Sequence, residues 1–149
     1  MALLEKQLVI KRSQISGAGK GLFTKKLIPK STRIVEYRGA LNTWKEVDHK
    51  NGRNGYIFYI NRNRVIDALP YKKALGRYAN DARGSKKKKS LINNSEYVVE
   101  DGKVFIESKK EIPPGSEILV DYGKEYWAAM NHNSRLKKRS VRKKNKPAK

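Results

Sequence analysis

The chain predicts a mostly-β domain built from many short strands with little helix, and three observations carry that expectation. The stretch YVVEDGKVFIES places strand-forming runs on either side of Asp101-Gly102, a two-residue pair suited to a tight hairpin turn. Gly and Pro clusters (Gly17, Gly19 and Gly21, then Pro29-Lys30-Ser31, then Pro113-Pro114-Gly115) interrupt the apolar runs at short intervals. A helix is expected only at TWKEVDHK, residues 43–50, ending at Asn51-Gly52.

In chain order, KQLVIKR (6–12) reads as a strand, and the three glycines after it break regular structure. LFTKKLI and RIVEYRG read as two further strands separated by Pro29-Lys30-Ser31. YIFYI and RVIDAL form a hairpin around Asn61-Arg62-Asn63. After the Asp101-Gly102 hairpin, Pro113-Pro114-Gly115 turns the chain into a last strand, EILVDY. No internal repeat is visible.

The chain of 149 residues is long enough for one domain plus a tail, divided at 1–133 and 134–149. The formal net charge is +21. Residues 134–149 carry nine Lys or Arg and no acid, with almost no apolar content, and are expected to be disordered in isolation. Lys86-Lys87-Lys88-Lys89 form a second basic run. Such charge seeks a polyanion or an acidic protein surface, so nucleic acid is an expected partner through Lys86–Lys89 and the tail. RLKKRSVRKKNK also fits a nuclear import signal if the source has a nucleus.

There is no Cys, which excludes disulfides, thiolate zinc sites and a cysteine nucleophile. His49 and His132 are the only histidines, and neither has metal-ligand spacing with a carboxylate cluster, so no metal is expected. No run of about 18 apolar residues is present, and MALLEKQLVI lacks the pattern of a secretory signal. An intracellular protein is expected, nuclear if the source is eukaryotic and otherwise cytoplasmic.

Four separated islands carry the functional reading: SGAGKGLF (16–23), VEYRGAL (35–41), RYANDARG (77–84) and EILVDYGKEYW (117–127). GAGKGL fails the dinucleotide fingerprint at Leu22 and lacks the P-loop pattern, so alone it reads as a flexible turn. Asn80-Asp81 alone reads as an Asx-turn, and the tyrosines as core aromatics with bonded hydroxyls. Taken in order, the islands resemble those of the SET-domain protein lysine methyltransferases, a resemblance covering roughly residues 7–128.

That resemblance implies the SET β-clip: small, mostly antiparallel sheets, few helices, and a C-terminal segment threaded under a preceding loop in a knot-like crossing. It implies S-adenosylmethionine as cofactor, approaching the backbone of Ala18, Gly19, Lys20 and Gly21, where small residues leave room. Tyr56, Arg77, Tyr78, Asn80 and Asp81 join that cofactor site by the same resemblance, and Trp127 packs near the adenine or over the channel. Asp81 stands where the family usually has His, and Ala82 where it has Ser. Asn93-Asn94 matches the Pro-Asn that often follows. Tyr37, Tyr97 and Tyr126 are implied to line a lysine channel, with Tyr122 promoting methyl transfer. The cysteine-rich zinc segment of many relatives is absent from this sequence.

The implied function is methyl transfer to a lysine of a protein substrate, such as a histone or another nucleic-acid-associated protein. Two other readings stand beside it. One is a SET-like module without catalysis that binds nucleic acid, a reading that Asp81 keeps open. The other is an unrelated basic nucleic-acid-binding protein, for which no zinc-finger, RNP or helix-turn-helix pattern is found.

Overall fold

The computed structural model describes residues 3–46, 56–84 and 91–122. Within them lie nine strands: β1 (Leu8–Arg12), β2 (Lys20–Thr24), β3 (Arg33–Glu36), β4 (Ala40–Asn42), β5 (Ile57–Asn61), β6 (Arg64–Asp67), β7 (Ser95–Glu100), β8 (Lys103–Ser108) and β9 (Val120–Asp121). They form three small sheets, ordered β1-β2, β3-β8-β7-β9 and β4-β6-β5. The described helical elements are short 3-10 turns at Leu4–Gln7, Leu75–Tyr78 and Ala82–Gly84. No described helix is long and apolar enough to cross a membrane.

The β7–β8 hairpin forms as the sequence predicts. Asp101 and Gly102 both take positive φ (51° and 73°), the pairing that lets a two-residue turn match the twist of its strands. Along β8 every second residue points inward, burying Val104, Ile106 and Ser108. Burying an aliphatic side chain of this size is worth about 1.5–3 kcal/mol. Ile106 therefore anchors the main core with Leu22, Ile28, Ile34, Ile112, Ile118 and Val120. The β5–β6 hairpin likewise turns at Arg62-Asn63. Arg64 of β6 then ties the two hairpins together, its Nε donating to the Gly102 carbonyl at 2.5 Å.

Several expected strands are shorter than their sequence runs; β3, for one, stops at Glu36 within RIVEYRG. β2 starts at Lys20 and stops at Thr24, whose hydroxyl turns back to the Lys26 carbonyl at 2.6 Å. Ile28 then makes an isolated antiparallel bridge with Ile112. The expected helix at 43–50 shows, within the described residues, as a turn at Trp44–Glu46, because Thr43 and Glu46 close it reciprocally. Residues 47–50 lie outside the described residues.

EILVDY is also not one continuous strand. Glu117 bridges antiparallel to Phe23, Leu119 bridges parallel to Asn80, and only Val120–Asp121 joins β7 as a parallel strand. The segment changes partner almost residue by residue because it passes between β2, the 79–81 turn and β7. This is the crossing that the resemblance implies, and it brings Tyr122 beside Asn80 across 42 positions.

Gly39 shows how tightly the third sheet is seated. A Cβ there would lie 2.5 Å from the Asp67 carbonyl oxygen and 2.8 Å from the Ala68 nitrogen, both backbone atoms that have nowhere to move. Gly39→Ala is expected to cost about 1–3 kcal/mol, read as a lowered urea midpoint at unchanged m-value.

Candidate functional site

The site is assembled around the glycine-rich loop between β1 and β2. Gly17 and Gly19 take φ of 82° and 73°, backbone that side-chain-bearing residues rarely adopt. The loop closes on itself through Ser13 N to Gly19 O (2.7 Å) and Ala18 N to Ile15 O (3.1 Å). Above Gly17 and Gly19 there is open space, since a Cβ at either would meet nothing within 4 Å. The loop thus offers exposed, pre-shaped backbone at one wall of the site.

Glu117, absent from the sequence-based expectations, holds this loop from below. Its side chain is buried, with Oε2 accepting from the Ser13 hydroxyl at 2.7 Å and Oε1 from the Gln14 amide at 2.9 Å. Asn80 bridges the same elements, donating from Nδ2 to the Lys20 carbonyl at 3.0 Å and, more distantly, to Glu117 Oε2 at 3.5 Å. Glu117 was not legible because an acid within a strand run reads as a solvent-facing residue; only the crossing turns it inward.

Asp81 is 2% exposed and, among the described residues, accepts three hydrogen bonds. Oδ1 takes Arg83 N and Asn93 Nδ2, both at 2.9 Å, and Oδ2 takes Tyr122 N at 2.8 Å. The Arg83 bond is the Asx-turn that Asn-Asp pairs suggest; the Tyr122 bond is long-range. Asn93 completes the bracket by accepting Ala82 N at 2.8 Å. Asn94 mimics a strand, donating to Glu117 O and accepting Leu119 N through its side chain.

Tyr122 is half-buried and spans the middle of the site. Its hydroxyl donates to the Ala79 carbonyl at 2.6 Å. Because a carbonyl only accepts, the tyrosine proton lies on that bond, and the phenolic oxygen presents lone pairs to its other neighbours. The Tyr97 ring stacks on Tyr122 with centroids 6.3 Å apart. Tyr97 in turn meets Tyr37 edge-on at 5.7 Å, and Phe58 at 5.0 Å. Tyr37 is 5% exposed and donates its hydroxyl to the Tyr56 carbonyl at 2.7 Å. Thus Tyr37, Tyr97 and Tyr122 form one aromatic line, to which the structure adds Phe58. YIFYI reads as a strand, and nothing in the run distinguishes Phe58 from its apolar neighbours.

Arg77, Tyr56 and Tyr78 form a separate stack. The Arg77 guanidinium lies 4.1 Å from the Tyr56 centroid and 5.3 Å from that of Tyr78, and Nη1 donates to the carbonyls of Ala68 and Leu69. Arg77 Nε is buried and lacks a hydrogen-bond partner among the described residues. Tyr78 donates its hydroxyl to the Lys72 carbonyl. Tyr126, Trp127, Lys86–Lys89 and the 134–149 tail lie outside the described residues. Among the described residues, no group of three or more His, Cys, Asp and Glu side chains is placed to hold a metal ion.

Comparisons with known proteins bear on the family and the fold. A family model described as "SET domain" matches residues 19–123. The chain is 29% identical over 117 residues to "Histone-lysine N-methyltransferase 2D" of Homo sapiens, and equally to that of Mus musculus. Each match covers 74% of this chain and 2% of the relative, so the chain spans a small fraction of these proteins' length. Among solved structures, the methyltransferase domain of human PR domain-containing protein 2 shares the fold with a TM-score of 0.60 at 22% identity. That likeness covers 81% of this chain and 82% of the other.

The contact between Gly21 and Glu117 can be tested directly. A Cβ on Gly21 would lie 2.3 Å from Glu117 Oε2, an atom already committed to Ser13. Gly21→Ala is expected to destabilise by about 1–3 kcal/mol as the carboxylate is displaced. Glu117→Gln, which keeps the shape but replaces one acceptor with a donor, is expected to loosen the 13–21 loop, seen as faster amide exchange at Gln14.

Proposed function

The chain belongs to the SET-domain family, and we propose that it is an S-adenosylmethionine-dependent protein-lysine N-methyltransferase. The observation that carries this reading is the Tyr122 hydroxyl, anchored on the Ala79 carbonyl with the aromatic line on one side and Asn80 and the glycine loop on the other.

The residues present fit the cofactor. Open space over Gly17 and Gly19 leaves loop backbone accessible, and the Asn80 side chain and buried Glu117 add polar and anionic groups beneath it. These suit a ligand with an ammonium group and a sulfonium. Ala18, Gly19, Lys20, Gly21 and Asn80 would hold it, with Tyr56, Arg77, Tyr78 and Trp127 shaping the rest of that site; Asp81, only 2% exposed, would act from behind Asn80 through its bonds to the chain rather than touch the ligand. When bound, the cofactor supplies an electrophilic methyl group.

The protein's own contribution lies in preparing the amine. A free lysine has a pKa of about 10.4 and is protonated at neutral pH. The walls formed by Tyr37, Phe58 and Tyr97, with Tyr126 by resemblance, exclude water and so disfavour the charged form. The Tyr122 oxygen, its proton engaged by Ala79, accepts a hydrogen bond from the amine and points the nitrogen lone pair along the channel. The ammonium proton would leave to solvent first, and the nitrogen lone pair that Tyr122 orients would then receive the methyl group that the bound cofactor supplies. Alignment of this kind supplies up to about 7–11 kcal/mol of barrier reduction.

We place the substrate lysine on a histone or other nucleic-acid-associated protein, from the names of the relatives and from the net charge of +21. Residues 1–133 would be the catalytic domain. The 134–149 tail and Lys86–Lys89 would dock nucleic acid, with action inside the cell and in the nucleus of a eukaryotic source.

Calorimetric titration of S-adenosylmethionine is expected to show saturable binding that survives Tyr122→Phe and is lost in Asn80→Ala. Labelled-methyl transfer to histones should fall on the order of 10²-fold in Tyr122→Phe, as when one positioned polar group is removed from a site. Absence of cofactor binding by the intact chain would sink this reading in favour of a SET-like module that binds nucleic acid.

A further inference from the structure

Building on the reading of Tyr122 as the residue that receives the amine, we infer that Asp81 is a positioning residue that holds Tyr122 in register. The need for it follows from where the sheet ends. β9 contributes only two residues to its parallel ladder with β7, Ser95↔Val120 and Glu96↔Asp121. Tyr122 is the next residue, so the ladder does not orient it. Among the described residues, two hydrogen bonds do, one at each end of Tyr122. The backbone amide is held by Asp81 Oδ2 at 2.8 Å, and the hydroxyl by Ala79 O at 2.6 Å. Both acceptors belong to the same 79–81 turn, which also carries Asn80. Tyr122 is thereby fixed to the segment that contacts the glycine loop.

A carboxylate suits this position. Three N–H donors, from Arg83, Asn93 and Tyr122, converge on it from separate stretches of chain. Only an acceptor-only group can satisfy all three at once. Asparagine has nearly the same shape but would set an NH2 against either Tyr122 N or the pair of donors at Oδ1. The residue at 81, where relatives usually carry His, is therefore a working part of the site. Its side chain acts on the tyrosine through the backbone.

The test uses the full chain, isotopically labelled, with Asp81→Asn as the principal variant. Exchange of the Tyr122 amide is expected to quicken at least ~10-fold as a charge-assisted bond is lost. The turnover number for labelled-methyl transfer should fall by about 10–100-fold, the scale of a small misplacement at a reacting centre. Cofactor affinity measured by calorimetry should change little, a split that a general loss of structure would not produce. Asp81→Asn combined with Asn93→Asp should recover much of both quantities, since the new amide can donate to the new carboxylate and again offer its oxygen to Tyr122. Asn93→Ala, which removes one donor steadying the Asp81 carboxylate, should move the same quantities the same way by smaller factors, and serves if Asp81→Asn does not fold. Unchanged protection of the Tyr122 amide in these variants, or turnover and cofactor affinity declining in equal proportion, would overturn the inference. If the unmodified chain transfers no methyl group, it is the methyltransferase reading that fails, and amide exchange alone still decides whether Asp81 holds Tyr122.

Discussion

Between Glu117 and Tyr122 the chain hydrogen-bonds to three different elements in turn, and the site exists because it does. Ile118 donates to Leu22 O in β2, Val120 donates to Asn80 O, and Leu119 accepts from both Asn94 N and Ser95 N. Ile118 and Val120 are fully buried on the core side. The segment is therefore held from both flanks while its own side chains fill the core. Glu117 and Leu119 are buried on the opposite side, so a slip of one residue would exchange the two faces, driving the Glu117 carboxylate into the apolar core and withdrawing it from the glycine loop. Core packing and site geometry thus select the same register.

The two buried carboxylates among the described residues, Asp81 and Glu117, lie at either end of this arrangement. Among the described residues, the bonds they accept come from backbone amides, a hydroxyl and carboxamides. Burying a carboxylate is costly unless its lone pairs are engaged, and bonds to a charged acceptor return roughly 1.5–3 kcal/mol each. A carboxylate so engaged acts as a cross-link between chain segments distant in sequence. Glu117 joins the loop at 13–14 to the crossing, and Asp81 joins the 79–83 turn to residues 93 and 122. Such cross-links take the place of longer strands in a domain whose sheets have only two to four strands.

What could be read from the sequence divides along the same line. The hairpins at Asp101-Gly102 and Arg62-Asn63 were legible because turn chemistry and alternation are local. The aromatic line of Tyr37, Tyr97 and Tyr122 was legible only through the resemblance, as no spacing rule brings three such distant tyrosines together. Glu117 and Phe58 were missed because their environments are created by the crossing and by the packing of β5 on Tyr97. The run at 117–122 looked like one strand because all its residues are extended; that it changes partners depends on which segments lie beside it. Asp81 reads locally as a turn residue and by resemblance as part of the cofactor site; it does cap Arg83, while its bond to Tyr122 depends on the crossing and has no local signal.

Charge links the proposed chemistry back to composition. A lysine entering the channel must give up its proton, and a positively charged surround favours the neutral amine. The same charge opposes the approach of a lysine-rich protein, although screening limits this to about 8 Å at physiological ionic strength. Positive charge near such a channel would therefore help the proposed chemical step while hindering encounter with a bare basic substrate. A substrate whose charge is already neutralised by bound nucleic acid would escape that penalty, and the nucleic acid would itself attract this basic chain. Under the proposed function, a nucleoprotein target would reconcile a net charge of +21 with a reaction on lysine.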